Sequence, residues 1–149
     1  MAANTSIIWP RSGDVQSNDT IIGPSANTAQ DGTGANIYSV WQADATEGGL
    51  IEKIVFRAVG SPAGSVARIY VCNVTGAFTP GTSNTAATAW LVDEVTLPSV
   101  SVSQTAAAVA IESVLNIQLP AGYRILVSFG STTGAAGTGY RVTGVGGKY

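Results

Sequence analysis

Residues Leu119-Pro120-Ala121-Gly122-Tyr123-Arg124-Ile125-Leu126-Val127-Ser128-Phe129-Gly130 constrain the fold more than any other part of the chain. Pro120 fixes its own φ, and Gly122 accepts the positive φ that such a turn needs. Strict alternation follows. Tyr123, Ile125, Val127 and Phe129 share one side of a strand, with Arg124 and Ser128 on the other. Leu115, Ile117 and Leu119 alternate in the same way before the turn, so the two arms read as a hairpin. Leu126 is the exception to the pattern: a large apolar side chain on the face away from the core. It implies either a second layer over that face or a subunit contact.

The same period of two recurs along the chain. Asn36 to Gln42 carries Ile37, Tyr38, Val40 and Trp41, all good strand formers. Leu50 to Val59 alternates with Ile54, Phe56 and Ala58 inward. Gly60-Ser61-Pro62-Ala63-Gly64 then reads as a hairpin turn into Val66 to Val74, where Ala67, Ile69 and Val71 point inward. On that register Arg68, Tyr70 and Cys72 face outward, with Arg68 beside Arg57. Trp90 to Leu97, Ile111 to Leu119, Tyr123 to Gly130 and a last strand around Tyr140 to Gly144 complete the set. Residues 75–88 form a long loop with Phe78 near its tip, expected to fold back on the sheet or to anchor a partner. Trp41 and Trp90 are expected to supply core area. About eight short strands, Gly and Pro turns and no helical period point to an all-β, single-domain β-sandwich or jelly roll.

Residues 1–35 read differently. Glycines and prolines punctuate a polar segment that holds two apolar clusters, Ile7-Ile8-Trp9 and Ile21-Ile22. One reading makes these short strands of the same sheet. The sharper reading makes 1–35 an N-terminal arm that lays Ile7, Ile8 and Trp9 on another subunit, with the β-domain occupying 36–149.

Composition narrows function by removal. Only 11 % of residues are charged, and there is no histidine and a single cysteine, Cys72. The usual general base, the Ser-His-Asp and Cys-His pairings and a thiolate metal cluster are therefore unavailable. Asp14, Asp19 and Asp31 lack EF-hand spacing, so no metal and no cofactor is expected. Asp93 and Glu94 are adjacent on a strand and point to opposite faces. A glycosidase-like pair drawn from Glu47, Glu52 and Glu112 cannot be placed by sequence. A net charge of −2 argues against nucleic acid, which recruits clustered Lys and Arg. No apolar run approaches the roughly 20 residues that a spanning helix needs, so no membrane partner is expected. The first residues carry no basic and apolar leader pattern, which with the single cysteine points to a chain made in a reducing cytoplasm or to a mature fragment whose signal has been removed.

The runs Ile54-Val55-Phe56-Arg57-Ala58-Val59-Gly60, Val66-Ala67-Arg68-Ile69-Tyr70-Val71, Asp93-Glu94-Val95-Thr96-Leu97-Pro98 and Leu119 to Gly130 add a family likeness. In order and spacing they resemble the small head-decoration, or cement, proteins of tailed bacteriophages, over roughly Asn36 to Tyr149. That resemblance implies a non-enzymatic jelly roll on the outer surface of a virion. Its partners would be the major capsid protein and further copies of itself, a homotrimer ahead of a homodimer. On this reading Ile7, Ile8, Trp9, Phe78 and Leu126 are the capsid or subunit contacts. A second class competes: a carbohydrate-binding or tail-fibre module, with Trp9, Trp41 and Trp90 as a stacking platform.

Overall fold

The computed structural model describes residues 10–149. Among them the chain forms eight strands: β1 (Ser12–Ser17), β2 (Ile37–Gln42), β3 (Gly49–Val59), β4 (Ser65–Cys72), β5 (Ala89–Leu97), β6 (Ile111–Leu119), β7 (Arg124–Phe129) and β8 (Gly139–Lys148). They make two four-stranded antiparallel sheets. Sheet A has the order β1-β8-β3-β6, and sheet B the order β2-β7-β4-β5. The pairs β1–β8, β2–β7, β3–β6 and β4–β5 are those of one long hairpin, folded at the β4–β5 loop and rolled up. This is the jelly-roll arrangement of a β-sandwich, as expected from the strand pattern.

Alternation places the core between the sheets. Ile54 and Phe56 of β3 meet Ala67 and Ile69 of β4, Ile125, Val127 and Phe129 of β7, and Tyr140 and Val142 of β8. The Phe129 ring packs edge-on to Tyr140 at 5.8 Å and tilted against Phe56 at 6.4 Å, geometries that aromatic quadrupoles favour. The Tyr140 hydroxyl is paired, donating to the Pro98 carbonyl at 2.7 Å. Trp41 is buried as expected. It fits because β8 and the start of β3 carry glycine where it lies: a Cβ on Gly144 would stand 2.6 Å from the Trp41 Cβ, and one on Gly49 would stand 3.0 Å from its ring. The Gly-rich C-terminal run therefore continues β8 through Lys148 instead of ending the strand near Gly144.

Several expectations require correction. The stretch Ile111–Phe129 is not a hairpin, because β6 belongs to sheet A and β7 to sheet B. Gly122, at φ 75°, turns the chain across the sandwich and not back along one sheet. The β3–β4 connection does the same, so Arg68 is not beside Arg57. Arg57 lies opposite Arg141 on β8, and Arg68 lies between Glu94 and Ser128. Only the β4–β5 connection stays within a sheet. Of the segment expected as an arm, Ser12–Ser17 is an integral strand against β8. Ile22 exchanges backbone hydrogen bonds with Tyr140 and is buried in the core. The described part of residues 1–35 thus belongs to the sandwich; Ile7, Ile8 and Trp9 lie outside the described residues.

Candidate functional site

A chain with few charged groups is best read through its surfaces, and the two sheets present very different ones. The outer face of sheet B is closed by the chain itself. Loops 23–36 and 73–88 cover it and build a second core from Ile37, Tyr70, Cys72, Ala89 and Leu126, flanked by Val74 and Phe78. Leu126 is therefore fully buried, and its covering layer is intrachain. It is not available as a capsid or subunit contact. Phe78 is half-buried on the same cluster and folds back on the sheet, the first of its two expected placements. Cys72, expected outward, does face away from the inter-sheet core, yet it is fully buried under the same loops. Burial pushes its thiol pKa above the ordinary value of 9.0.

Polar side chains lace this cover down. Arg124 is 5 % exposed and pairs with no carboxylate among the described residues. Its Nε donates to the Val74 carbonyl at 2.8 Å and its Nη2 to the Gly76 carbonyl at 2.6 Å. The guanidinium also lies 5.2 Å from the centre of the Phe78 ring. Burial lowers its pKa from the ordinary arginine value. Asn84, also buried, donates to the carbonyls of Gly32 at 2.7 Å and Gly34 at 2.9 Å and accepts from Gly81 N at 2.7 Å, so one amide joins both loops. Arg68 donates to Glu94 at 3.0 Å and to the Asn27 carbonyl at 3.1 Å. Sequence reading missed Asn84 and Arg124 as fasteners; nothing local distinguishes them from ordinary loop and strand residues.

The outer face of sheet A has no such cover among the described residues. Register aligns Val15, Val145, Lys53 and Val114 in one row across all four strands, with Ser17, Thr143, Val55 and Glu112 in the next. Val15 and Val114, at the two edges, are each 67 % exposed. Lys53 is held by Glu112 at 3.0 Å, a surface pair of small worth. The face thus carries Val15, Val55, Val114 and Val145 around the Lys53–Glu112 pair, with the exposed Arg57 and Arg141 opposite one another in the following row.

A third surface is the lateral wall where β5 and β6 form the free edges of the two sheets. Trp90, Leu91 and Val92 are exposed in succession on β5, so Trp90 does not supply the core area expected of it. Asp93 accepts a hydrogen bond from Ser113 of β6, while Glu94 points away to Arg68, which agrees with opposite faces for the two carboxylates. Trp41 is buried and Trp90 exposed, so these two rings share no stacking platform. A cleft of about 420 Å³ at the other lateral side is lined by Asp14, Gln16, Gln42, Asp44 and Lys148. Most of its polar groups are already hydrogen-bonded within the chain. Gln16 bridges to the backbone of Gln42 and donates to Asp14. Asp44 accepts from the backbone and hydroxyl of Thr46, which lowers its pKa. Glu47, one of the weighed carboxylates, pairs with Arg11, and Glu112 with Lys53. No group of three or more metal-ligating side chains occurs among the described residues.

No protein-family model, curated protein sequence or solved structure matches the chain.

Proposed function

We propose that this protein is a virion structural protein that decorates the outer surface of a bacteriophage head and clamps neighbouring capsomers without catalysis. The observation that carries this reading is the contrast between the sheets. Two long loops seal sheet B, while the outer face of sheet A, with its four valines beside Arg57 and Arg141, is uncovered among the described residues and suited to lie on another protein. The resemblance of Ile54–Gly60, Val66–Val71, Asp93–Pro98 and Leu119–Gly130 to cement proteins supplies the identity of that partner, the major capsid protein. Each contact of this kind is modest. Several copies on one shell raise the effective concentration of the next contact without new chemistry. Ile7, Ile8 and Trp9 remain proposed contacts on sequence grounds.

The test is stoichiometry on particles. Mass spectrometry of purified virions should find the protein at a fixed ratio to the major capsid protein, and purified protein should co-sediment saturably with undecorated capsids. The double substitution Val15→Glu and Val114→Glu, on exposed positions, should weaken that binding tenfold or more while the melting temperature holds. Absence from virions, or undiminished binding by the double variant, would remove the reading or its site respectively.

A further inference from the structure

The chain has seven Lys and Arg side chains and nine carboxylate side chains, and all nine carboxylates lie among the described residues. Five of the seven cations are engaged. Arg11 pairs with Glu47, Lys53 with Glu112 and Arg68 with Glu94. Arg124 is taken up by the Val74 and Gly76 carbonyls, and Lys148 lines the lateral cleft with Asp14 and Asp44. The two left over, Arg57 and Arg141, stand directly opposite one another on β3 and β8. Both are exposed on the outer face of sheet A, and among the described residues neither makes an ion pair or a side-chain hydrogen bond. Directly opposite side chains on antiparallel strands have Cβ atoms about 5 Å apart, where like charges repel. The chain's own carboxylates leave that repulsion in place. Glu112, opposite Val55, lies diagonal to both Lys53 and Arg57 and takes Lys53, at 3.0 Å. Asp19, two residues past the end of β1, makes no ion pair with Arg141.

We propose that Arg57 and Arg141 together receive a side-chain carboxylate of a partner protein and are the polar anchor of the contact made by the outer face of sheet A. The identity of that partner rests on the decoration reading; the chemistry of the anchor rests on the two arginines. A carboxylate set between two guanidiniums replaces their repulsion with two charge-assisted contacts, and the planar guanidinium matches both carboxylate oxygens at once. The neighbouring rows suit such a contact. They are Val55 opposite Thr143 on one side and Val59 opposite Gly139 on the other. A flat surface landing there meets uncharged side chains and bare backbone around the arginines, and the water it displaces no longer screens the pair. A polyanion fits this face less well. Nucleic acid is held by many Lys and Arg along its backbone, whereas Lys53, the next cation along the face, is already paired and the chain carries a net charge of −2.

The experiment is an NMR titration of the isotope-labelled full chain with a short oligoglutamate peptide, following backbone and arginine side-chain N–H signals. Arg57 and Arg141 should shift saturably while Arg11, paired with Glu47, stays in place. Arg57→Gln and Arg141→Gln should each weaken the peptide at least tenfold and keep the wild-type melting temperature. The proposal is overturned by any of five results: no saturable shift, an equal response at Arg11, indifference to either substitution, the same shifts with inorganic phosphate or tighter binding of oligothymidylate to this face, or a lowered melting temperature, which would give the arginines a role inside the fold. Co-sedimentation with undecorated capsids separates the anchor from the decoration reading. Wild-type binding should fall as sodium chloride rises from about 50 to about 300 mM, and at least tenfold in the double variant Arg57→Glu and Arg141→Glu. Undiminished binding by the double variant overturns the anchor and leaves decoration standing. A wild type that ignores capsids yet takes the peptide removes the decoration reading and leaves the anchor with another acidic partner.

Discussion

The two outer faces of the sandwich begin from similar strands and end in opposite states. Sheet B carries Tyr70, Cys72 and Leu126 on its outer face, and the chain covers them with loops pinned by Arg124 and Asn84. Sheet A carries Val15, Val55, Val114 and Val145 in the corresponding place, and no described loop covers them. The difference lies in side-chain size and loop supply. A tyrosine and a leucine left open would expose far more apolar area than valines do, and the two longest loops that touch a sheet both fall on sheet B. An outward-pointing residue is therefore not an exposed residue; what decides is whether the chain has length to spare above it.

The comparison breaks first at Leu126. Leu126→Ala should lower unfolding free energy by about 3 kcal/mol in urea denaturation, the ordinary cost of a cavity in a packed core. A change under about 0.5 kcal/mol would mean that the loops do not seal sheet B. Arg124→Ala comes next. It leaves the partly buried carbonyls of Val74 and Gly76 without their donor and uncovers Phe78, and a loss of about 1–3 kcal/mol is expected, with faster amide exchange across residues 73–88. Equal exchange in the variant and the parent would show that the guanidinium does not hold the loop.

Cys72→Ser should cost about 1–3 kcal/mol, because a hydroxyl replaces a thiol in an apolar cluster. The same residue gives the comparison a pH signature. Burial raises the Cys72 thiol, and likewise the Tyr70 and Tyr140 hydroxyls, above their ordinary values of 9.0 and 10.0. The unfolded chain therefore releases these protons first. Their contribution is fully present below about pH 9 and is lost as pH rises through the raised values. Melting temperatures from pH 8 to 11 should fall less steeply for Cys72→Ala than for the parent, and parallel slopes would contradict a buried thiol. The smallest effect belongs to sheet A. Val114→Thr should change stability by less than about 0.5 kcal/mol, since its side chain is mostly in solvent already. A larger loss in the isolated protein would show that this face is part of a core.

Alternation in the sequence determined which residues stand in strands and which side chains share a face. The inward sets Ile54 and Phe56, Ala67 and Ile69, and Ile125, Val127 and Phe129 all lie between the sheets. It could not determine partners, because a strand with one apolar face looks the same whether the next strand lies beside it or across the sandwich. Two apparent hairpins, Leu50 to Val74 and Ile111 to Gly130, are in fact crossings, and a three- to five-residue turn with a flexible glycine serves either path. Strand β1 escaped notice because Ser12–Ser17 is an edge strand of small and polar residues, held by its backbone pairing with β8 more than by its own side chains. Only the tertiary structure decided which outward faces are covered. Burial of Leu126 and Cys72 depends on loops 23–36 and 73–88 arriving from distant parts of the chain, and that arrival rests on single contacts, such as Asn84 to Gly32 and Gly34 and Arg124 to Val74 and Gly76, that leave no periodic trace in the sequence.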